Sequence, residues 1–383
     1  MNFPSFGDAD TYAELGRSCA DAIAGPGSVF EGCYNPVRPV GIAVLMAIPY
    51  LTTDDPVDAA YVALALNMAF FAVVVACLAG ALIGDRTLLE GRRRREVLLG
   101  CGAFAVLLPN LVAHIPIRLG DLPSLAAFMG ALLVGIRTAG GSWTGRALLR
   151  RYAICGALCA LAVLLKVTYF AYGLVLLASL LALDANARGT RRRCAAAFAL
   201  GMAPVALQLL SVFLHTGQLG LYDRDFMRMY FSYPRREYGI ESVIFTMPGH
   251  SVYLTQVAGG ISRVEVLVLR LFRGLFGFEW AVYLGEPSRG PLWTLGALER
   301  LRAWVLVLAY FAFSGWVVRK GPQSLRIINL NAAVGALATA ALMHTELRYY
   351  ALARSVLWLT AGITMVAARP RRAAASRSAP PTP

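Results

Sequence analysis

Long apolar segments separated by short polar segments occupy most of the chain. Several of them reach the roughly 17–25 residues that an α-helix needs to cross a bilayer. The pattern predicts about nine spans, at residues 59–83, 97–115, 122–137, 152–165, 168–183, 194–214, 301–318, 325–343 and 351–368. The fourth and fifth spans are short and flank Lys166, so the pair also fits a single bent hairpin. We therefore predict an all-α polytopic membrane protein with about nine transmembrane helices.

Two further apolar segments are predicted to lie on the membrane surface. Residues 35–51 offer only about 13 apolar positions after Pro39, which is short for a span. Two prolines and a glycine at its start favour an interfacial helix, whereas a crossing by this segment would make the N-terminus cytoplasmic. Residues 264–285 are longer, but charged residues interrupt them, which is typical of an amphipathic helix.

Charged residues are few, and the basic ones are unevenly placed. Only 15% of the chain is charged and the net charge is +14, whereas a soluble protein averages about 25% charged residues. Basic clusters occupy every second gap between predicted spans, at residues 85–96, 137–151, 188–193, 319–320 and 369–377. The positive-inside rule makes that side cytoplasmic. Basic residues between apolar segments argue against a nucleic-acid partner, which would require a basic soluble face with aromatics.

This orientation divides the chain into five parts. They are an extracytoplasmic acidic loop with juxtamembrane helices (1–58), a transmembrane core of about six helices (59–214), an extracytoplasmic loop with an amphipathic helix (215–300), three C-terminal transmembrane helices (301–368) and a disordered cytoplasmic tail (369–383). Cys19 and Cys33 can form a disulfide if the first part is extracytoplasmic. An outside N-terminal segment with nothing upstream to lead it also predicts a first span encoded before Met1.

The first part opens on an acidic stretch, GDADTYAELGRS, at residues 7–18. One interpretation is a helix start, with Thr11 and Glu14 as a capping box and Asp10 in the first turn. Asp8 lies outside that box. A second interpretation is that these acids belong to a reactive site.

Polar residues of both signs recur on the predicted outside face. They are Asp8, Asp10, Arg38, His114, Arg118, Asp121, Lys166, His344, Glu346, Arg348 and Tyr349. Ionisable and aromatic residues at a membrane boundary often serve only as anchors. An acid pair with several bases also suits a phosphorylated lipid, because the bases bind phosphate and an acid takes a proton.

Several segments, in their order, resemble the integral-membrane GT-C glycosyltransferases, which use polyprenyl-phosphate-linked sugars. The matching segments are GDADTYAELGRS, YNPVRPVGIAVLMAIPY, IRLGDLPSLAAFMGALLVG, GALCALAVLLKVTYFAYGLVLLASLL, MAPVALQLLSVFLHTGQLG and TELRYYALARSVLWLTAG. The resemblance covers most of residues 6–220 and 300–368. It departs from the family pattern in opening directly on the acidic loop, and in having Asp-Ala-Asp where some members have adjacent acids.

The resemblance implies a reaction and a set of site residues. A sugar would pass from a polyprenyl-phosphate donor to a glycan, lipid or protein acceptor on the extracytoplasmic face. Asp8 is the expected general base, with Asp10 second. The expected donor-phosphate ligands are Arg118, Lys166 and Arg348. The expected supporting residues are Tyr12, Arg38, His114, Asp121, Glu346 and Tyr349.

Three of these residues, Asp8, Asp10 and Asp121, have further interpretations. Asp121 orients Arg118, binds a metal, or caps the helix that follows it. No cofactor is required by this reaction, but the Asp8 and Asp10 pair resembles a metal-binding Asp-x-Asp, so a Mg²⁺ or Mn²⁺ site stays open.

The expected location is a bacterial inner membrane, with membrane lipids as partners and the active site on the periplasmic side. A polysaccharide polymerase or ligase, also built from many spans and a large outside loop, is an alternative that does not need the early acids. A transporter is another alternative, and it would place ionisable residues near the bilayer midplane. A non-catalytic scaffold also fits the pattern.

Overall fold

The computed structural model describes residues 7–83, 120–225 and 323–342. Every regular element in these ranges is a helix. In chain order they are α1 (Gly7–Ala24), α2 (Val29–Gly32), α3 (Val40–Thr52), α4 (Pro56–Ile83), α5 (Asp121–Ala139), α6 (Gly145–Leu165), α7 (Tyr169–Leu183), a 3₁₀ turn (Ala185–Ala187), α8 (Arg191–Gly201), α9 (Val205–Thr216) and α10 (Gln323–Leu342).

Three of the described helices are long and apolar enough to cross a membrane. They are α4 over residues 56–81, α5 and α6. Helices α8 and α9 meet the same test together, with a bend of 52° at the break between them. Pro204 lies at this break and has no amide hydrogen to continue the helical bonding. Three or four described helices therefore have a length and composition compatible with a membrane protein.

The predicted spans that fall in the described ranges each coincide with a helix or, for residues 194–214, with the bent pair α8–α9. Helix α7 is short, at 15 residues, as expected. Helix α3 has 13 residues, the predicted length of the interfacial helix. Helix α7 and the apolar part of α10, Arg326–Ala338, are shorter than the helices that pass this test, and three predicted spans lie outside the described residues, so the total of about nine spans stays a prediction.

The predicted start of the fourth span is wrong. Helix α6 begins at Gly145 rather than at residue 152, and it has 21 residues. Its first turns carry Arg146, Arg150 and Arg151. Long arginine side chains extend from an apolar helix toward water, so basic residues do not end a spanning helix where the apolar run ends.

The antiparallel packing of α5 and α6 defines two ends of the helical bundle. Helix α5 begins, α6 ends and α7 begins at one end, which we call the acidic end. Acidic side chains outnumber basic ones there among the residues whose side chains the structure describes. The acids are Glu14, Asp21, Glu31, Asp54, Asp55, Asp58, Asp121, Asp223 and Asp225, and the bases are Arg17, Arg38, Lys166 and Arg224. The opposite end, where α4 and α5 end and α6 and α8 begin, we call the basic end. Its described bases are Arg137, Arg146, Arg150, Arg151, Arg188, Arg191, Arg192, Arg193 and Arg326.

Helices α1 and α3 form a small unit at the acidic end. Gly16 of α1 lies directly against the backbone of Met46 in α3, where a Cβ atom would overlap the Met46 carbonyl. Cys19 and Cys33 are joined by a disulfide, with their Cα atoms 4.3 Å apart. The predicted pairing of these two cysteines is therefore confirmed. The bond ties α1 to the segment that leads into α3.

Helix α5 is the central helix of the bundle. Almost all of its side chains are buried, and it packs against α4, α6, α7 and α10. Near its start the Phe128 ring lies 5.4 Å from the Tyr169 ring and 5.7 Å from the Tyr172 ring, measured between centroids. These rings make a firm core beneath the acidic end.

Candidate functional site

The acidic stretch forms the beginning of α1. The helix starts at Gly7, so Thr11 and Glu14 lie inside it, and the predicted capping box is wrong. An N-cap residue must precede the first helical residue, whereas Thr11 follows it by a full turn. Asp8 and Asp10 instead occupy the first turn, where negative charge is favourable to the helix dipole.

The faces of α1 separate the two early aspartates. Tyr12 and Leu15 are buried, whereas Glu14 and Arg17 are exposed. Residues four apart share a face of a helix, and residues two apart do not. Position 8 therefore shares the packed face with Tyr12, and position 10 shares the exposed face with Glu14.

Arg38 lies over the packed face of α1. Its guanidinium carbon is 4.7 Å from the centroid of the buried Tyr12 ring, a cation–π contact. Asn35 shapes the preceding turn, because its Oδ1 accepts hydrogen bonds from the Val37 and Arg38 amides, each at 2.9 Å. We call residues 35–38 the arginine turn. It places a cation beside the face that carries position 8.

Asp121 and Lys166 form an ion pair at the same end. The Lys166 ammonium donates to Asp121 Oδ1, and the side chains are only 14% and 8% exposed. Two mostly buried opposite charges hold each other strongly, because little water screens them. The predicted capping role of Asp121 is wrong: the N-cap of α5 is Gly120, and Asp121 is the first helical residue.

Close backbone contacts bring the arginine turn and this ion pair to one place. A Cβ on Gly41 would lie 2.6 Å from the Leu164 carbonyl oxygen, and a Cβ on Gly120 would lie 2.9 Å from the Leu165 carbonyl oxygen. The start of α3, the start of α5 and the end of α6 therefore meet. Residues that are far apart in the sequence join at one end of the bundle.

Gln208 of α9 connects the start of α3 to the segment that follows α9. It is not among the residues predicted from the sequence. Its side chain is only 2% exposed. Its Oε1 accepts a 2.7 Å hydrogen bond from the Val40 amide, and its Nε2 donates to the Leu221 carbonyl at 2.9 Å. The sequence does show a glutamine within an apolar helical segment, which is unusual. The neighbouring residues in the sequence do not show which backbone groups this glutamine bonds.

A stack of two aromatic rings also joins α9 to the segment before α3. Tyr34 and His215 lie parallel, with centroids 3.7 Å apart. Burial, and then the negative charge of Asp223, raise the pKa of the Tyr34 phenol above its ordinary value. Tyr34 therefore stays neutral at physiological pH. The Asp223 amide also donates to the Pro36 carbonyl at 3.0 Å, which fastens the arginine turn to the segment after α9.

A second polar network lies at the basic end and was also missed. Asp184, which is 1% exposed, accepts from the Tyr152 hydroxyl at 3.1 Å and from the Asn186 amide at 2.9 Å. Asn186 Nδ2 in turn donates to the Gly141 carbonyl at 2.7 Å. The network ties together the α5–α6 and α7–α8 connections. Its hydrogen bonds are internal, which indicates a structural role.

Six of the residues named from the sequence lie outside the described residues: His114, Arg118, His344, Glu346, Arg348 and Tyr349. Their roles stay predictions. Within the described ranges, no group of three or more His, Cys, Asp or Glu residues is arranged to hold a metal ion. The Mg²⁺ or Mn²⁺ site at Asp8 and Asp10 stays a prediction as well.

Comparison with known proteins identifies no relative of this chain: no protein-family model, curated protein or solved structure matches it. The function is therefore argued from the geometry of the acidic end and from the resemblance described above.

Proposed function

We propose that this protein is an integral-membrane glycosyltransferase that moves a sugar from a polyprenyl-phosphate-linked donor to an acceptor at its acidic end. One observation carries the proposal most directly. Tyr12 contacts Arg38 and Asp121 contacts Lys166, and these two pairs from separate segments lie at the same end of the bundle, where α3, α5 and α6 adjoin. The resemblance described above implies a role in this reaction for all four residues.

The two cations are suited to a phosphate leaving group. Asp121 holds the Lys166 ammonium in place, and the Tyr12 ring holds the Arg38 guanidinium. An arginine binds phosphate with two parallel hydrogen bonds, and a lysine acts as a point charge. Cations that are already in position stabilise the charge that develops as the phosphate departs.

Asp8 is the proposed general base. The acceptor hydroxyl oxygen attacks the anomeric carbon, the bond from that carbon to the phosphate oxygen breaks, and the hydroxyl proton passes to the Asp8 carboxylate. Polyprenyl phosphate is the other product. Position 8 is preferred to position 10 because it shares the face of α1 that packs under Arg38.

The proposal places the acidic end outside the cytoplasm, on the periplasmic side of a bacterial inner membrane. Two observations support this orientation. A disulfide such as Cys19–Cys33 forms and persists in an oxidising compartment. Arginines are concentrated at the opposite end, as expected of the cytoplasmic side.

The test uses the full-length protein in nanodiscs with a panel of synthetic polyprenyl-phosphate sugars and mixed acceptors. Release of polyprenyl phosphate is measured by mass spectrometry. Asp8→Asn is expected to lower the rate at least about 10²-fold, the usual contribution of a general base. The matched control is Asp21→Asn, an exposed aspartate of the same helix, which should leave the rate within a few-fold of the wild type.

Two results would overturn the assignment. The base is misassigned if Asp8→Asn retains full activity, and a loss in Asp10→Asn alone would move the role to that residue. The glycosyltransferase proposal fails if no donor is consumed by folded protein. A polymerase or ligase would instead join preassembled lipid-linked glycans in the same assay.

Buried polar residues in α10 favour a transporter as the second candidate. Asn329 and Asn331 are 5% and 1% exposed, and Asn331 Nδ2 donates to Ser179 Oγ of α7 at 3.3 Å. Polar groups buried inside apolar helices often mark a path for a substrate or ion. Sealed liposomes distinguish the two functions: a transporter would move a lipid-linked sugar across the bilayer without cleaving it, and Asp8→Asn would not affect that movement.

A further inference from the structure

Exposed arginines from two segments of the chain gather at the basic end. They are Arg146, Arg150, Arg188, Arg191, Arg192 and Arg193, and we call them the arginine surface. The first two lie in the opening turns of α6, and the others surround the start of α8. The proposed reaction uses none of them, because they lie at the end of the bundle opposite to Lys166.

The two segments of the arginine surface are held side by side. The Tyr152–Asp184 hydrogen bond fastens the connection before α8 to α6. Further along, Gly156 of α6 lies against the Phe198 carbonyl of α8, where a Cβ atom would overlap it. Small residues that allow such close approach are typical of packed membrane helices. The arginines therefore form one surface.

The charge of this surface is not neutralised within the described part of the chain. No ion pair there involves any of its arginines. Asp184, a described carboxylate at the same end, is buried and bonded to Tyr152 and Asn186. Arg191, Arg192 and Arg193 also lie in the first turn of α8, where positive charge opposes the helix dipole. Helix stability therefore does not account for these arginines, and an anion would be favoured there.

An apolar stripe runs directly from the arginine surface along α6. Arg150, Ile154, Ala157 and Leu161 follow one another at helical spacing, and all are exposed. Leu200 of the neighbouring α8 is 74% exposed. A cationic patch at the end of an exposed apolar stripe matches a ligand with an anionic head and a hydrocarbon tail. Nucleic acid and free phosphate have no hydrocarbon tail that could contact the apolar stripe.

We propose that the arginine surface binds the headgroup of an anionic phospholipid whose acyl chains lie along the stripe of α6 and α8. The guanidinium groups bind the phosphate with paired hydrogen bonds. The apolar side chains contact the hydrocarbon. This site is separate from the proposed transfer of sugar and does not depend on it.

The test measures lipid binding by the full-length protein in a neutral detergent. Phosphatidylglycerol and phosphatidylcholine with the same acyl chains are titrated, and bound lipid is counted by native mass spectrometry. The wild type should bind phosphatidylglycerol in preference. Arg191→Gln combined with Arg192→Gln should weaken that binding about 25-fold, since each arginine near an anionic surface contributes roughly fivefold.

A matched pair of arginines at the acidic end is the control. Arg17→Gln combined with Arg224→Gln removes the same charge from other exposed positions and should leave binding unchanged. Melting curves of both variants check that they fold. Equal losses in the two variants would show general electrostatic attraction and overturn the site.

Inorganic phosphate and glycerophosphate are titrated in parallel to separate a lipid from a free anion. The proposal requires that neither binds at concentrations where phosphatidylglycerol saturates the protein. Binding of inorganic phosphate as tight as that of the lipid would overturn it, and so would equal binding of phosphatidylcholine.

Discussion

The contact between Asp121 and Lys166 gives both residues a role that neither sequence position shows by itself. Considered separately, the first resembles a helix cap and the second a snorkelling lysine at the end of a short span. Together they are a largely buried ion pair between the start of α5 and the end of α6. The carboxylate fixes where the ammonium lies, so the lysine becomes a positioned cation rather than a mobile one.

Removing one partner of this pair is expected to be costly. Asp121→Ala leaves the Lys166 charge buried without its carboxylate, which should lower the free energy of unfolding by about 3–5 kcal/mol. The combined change Asp121→Leu and Lys166→Met removes both charges and should recover most of that loss. Chemical denaturation of the purified protein in detergent measures both variants. Equal stability of the wild type and Asp121→Ala would show that the pair is not a significant contact.

Helix α1 shows how an element gives different surroundings to neighbouring residues. Its exposed face carries Glu14 and Arg17, and its packed face carries Tyr12 and Leu15. The Asp-Ala-Asp motif looks like a pair in the sequence, but the helix turns its two members to different faces. The predicted capping box of Thr11 and Glu14 puts the helix start too late, because both residues lie inside α1, which begins at Gly7.

The attachment of α9 to the start of α3 depends on one side chain. Gln208→Leu leaves the Val40 amide and the Leu221 carbonyl without their partner, so we expect a loss of about 1–3 kcal/mol of stability. Gln218→Leu is the control, because Gln218 bonds Asp225 at an exposed site. Thermal melting in detergent compares the two variants. A larger loss for Gln218→Leu would contradict the assigned role of Gln208.

In the described part of the molecule, charge is unevenly distributed along the helix axes. Most of the described acids and the disulfide lie at one end, and most of the described arginines lie at the other. The lengths of α5 and α6 separate these ends by about 30 Å, given a rise of 1.5 Å per residue, which is about the thickness of a bilayer core. This arrangement connects the predicted orientation with the proposed sites at the two ends.

The orientation has a direct test in intact cells. A cysteine introduced at the exposed Asp54 of the acidic end should react with a membrane-impermeant maleimide. A cysteine introduced at the exposed Ser142 of the basic end should react only after the membrane is permeabilised. Cys155, Cys159 and Cys194 are buried and should add little background. The reverse pattern would place the proposed active site in the cytoplasm, where a periplasmic glycosyl transfer could not occur.

Much of the helical architecture follows from the sequence alone. Apolar runs predict the positions of α4, α5, α7 and the bent pair, because a chain in hydrocarbon must satisfy its backbone hydrogen bonds within each segment. The alternation of basic gaps likewise predicts that the arginines of residues 137–151 and 188–193 share one end. Both are properties of a segment and its nearest neighbours, so they can be recognised without knowing how the helices pack.

The contacts within the candidate site depend instead on which helix ends adjoin. Arg38 over Tyr12, Asp121 with Lys166, and Gln208 bonded to Val40 each join segments that no local pattern connects. Side-chain chemistry identified most of these residues as candidates. Their partners were set by the close backbone approaches at Gly41 and Gly120, since a contact of a few ångströms requires both helices to be in place.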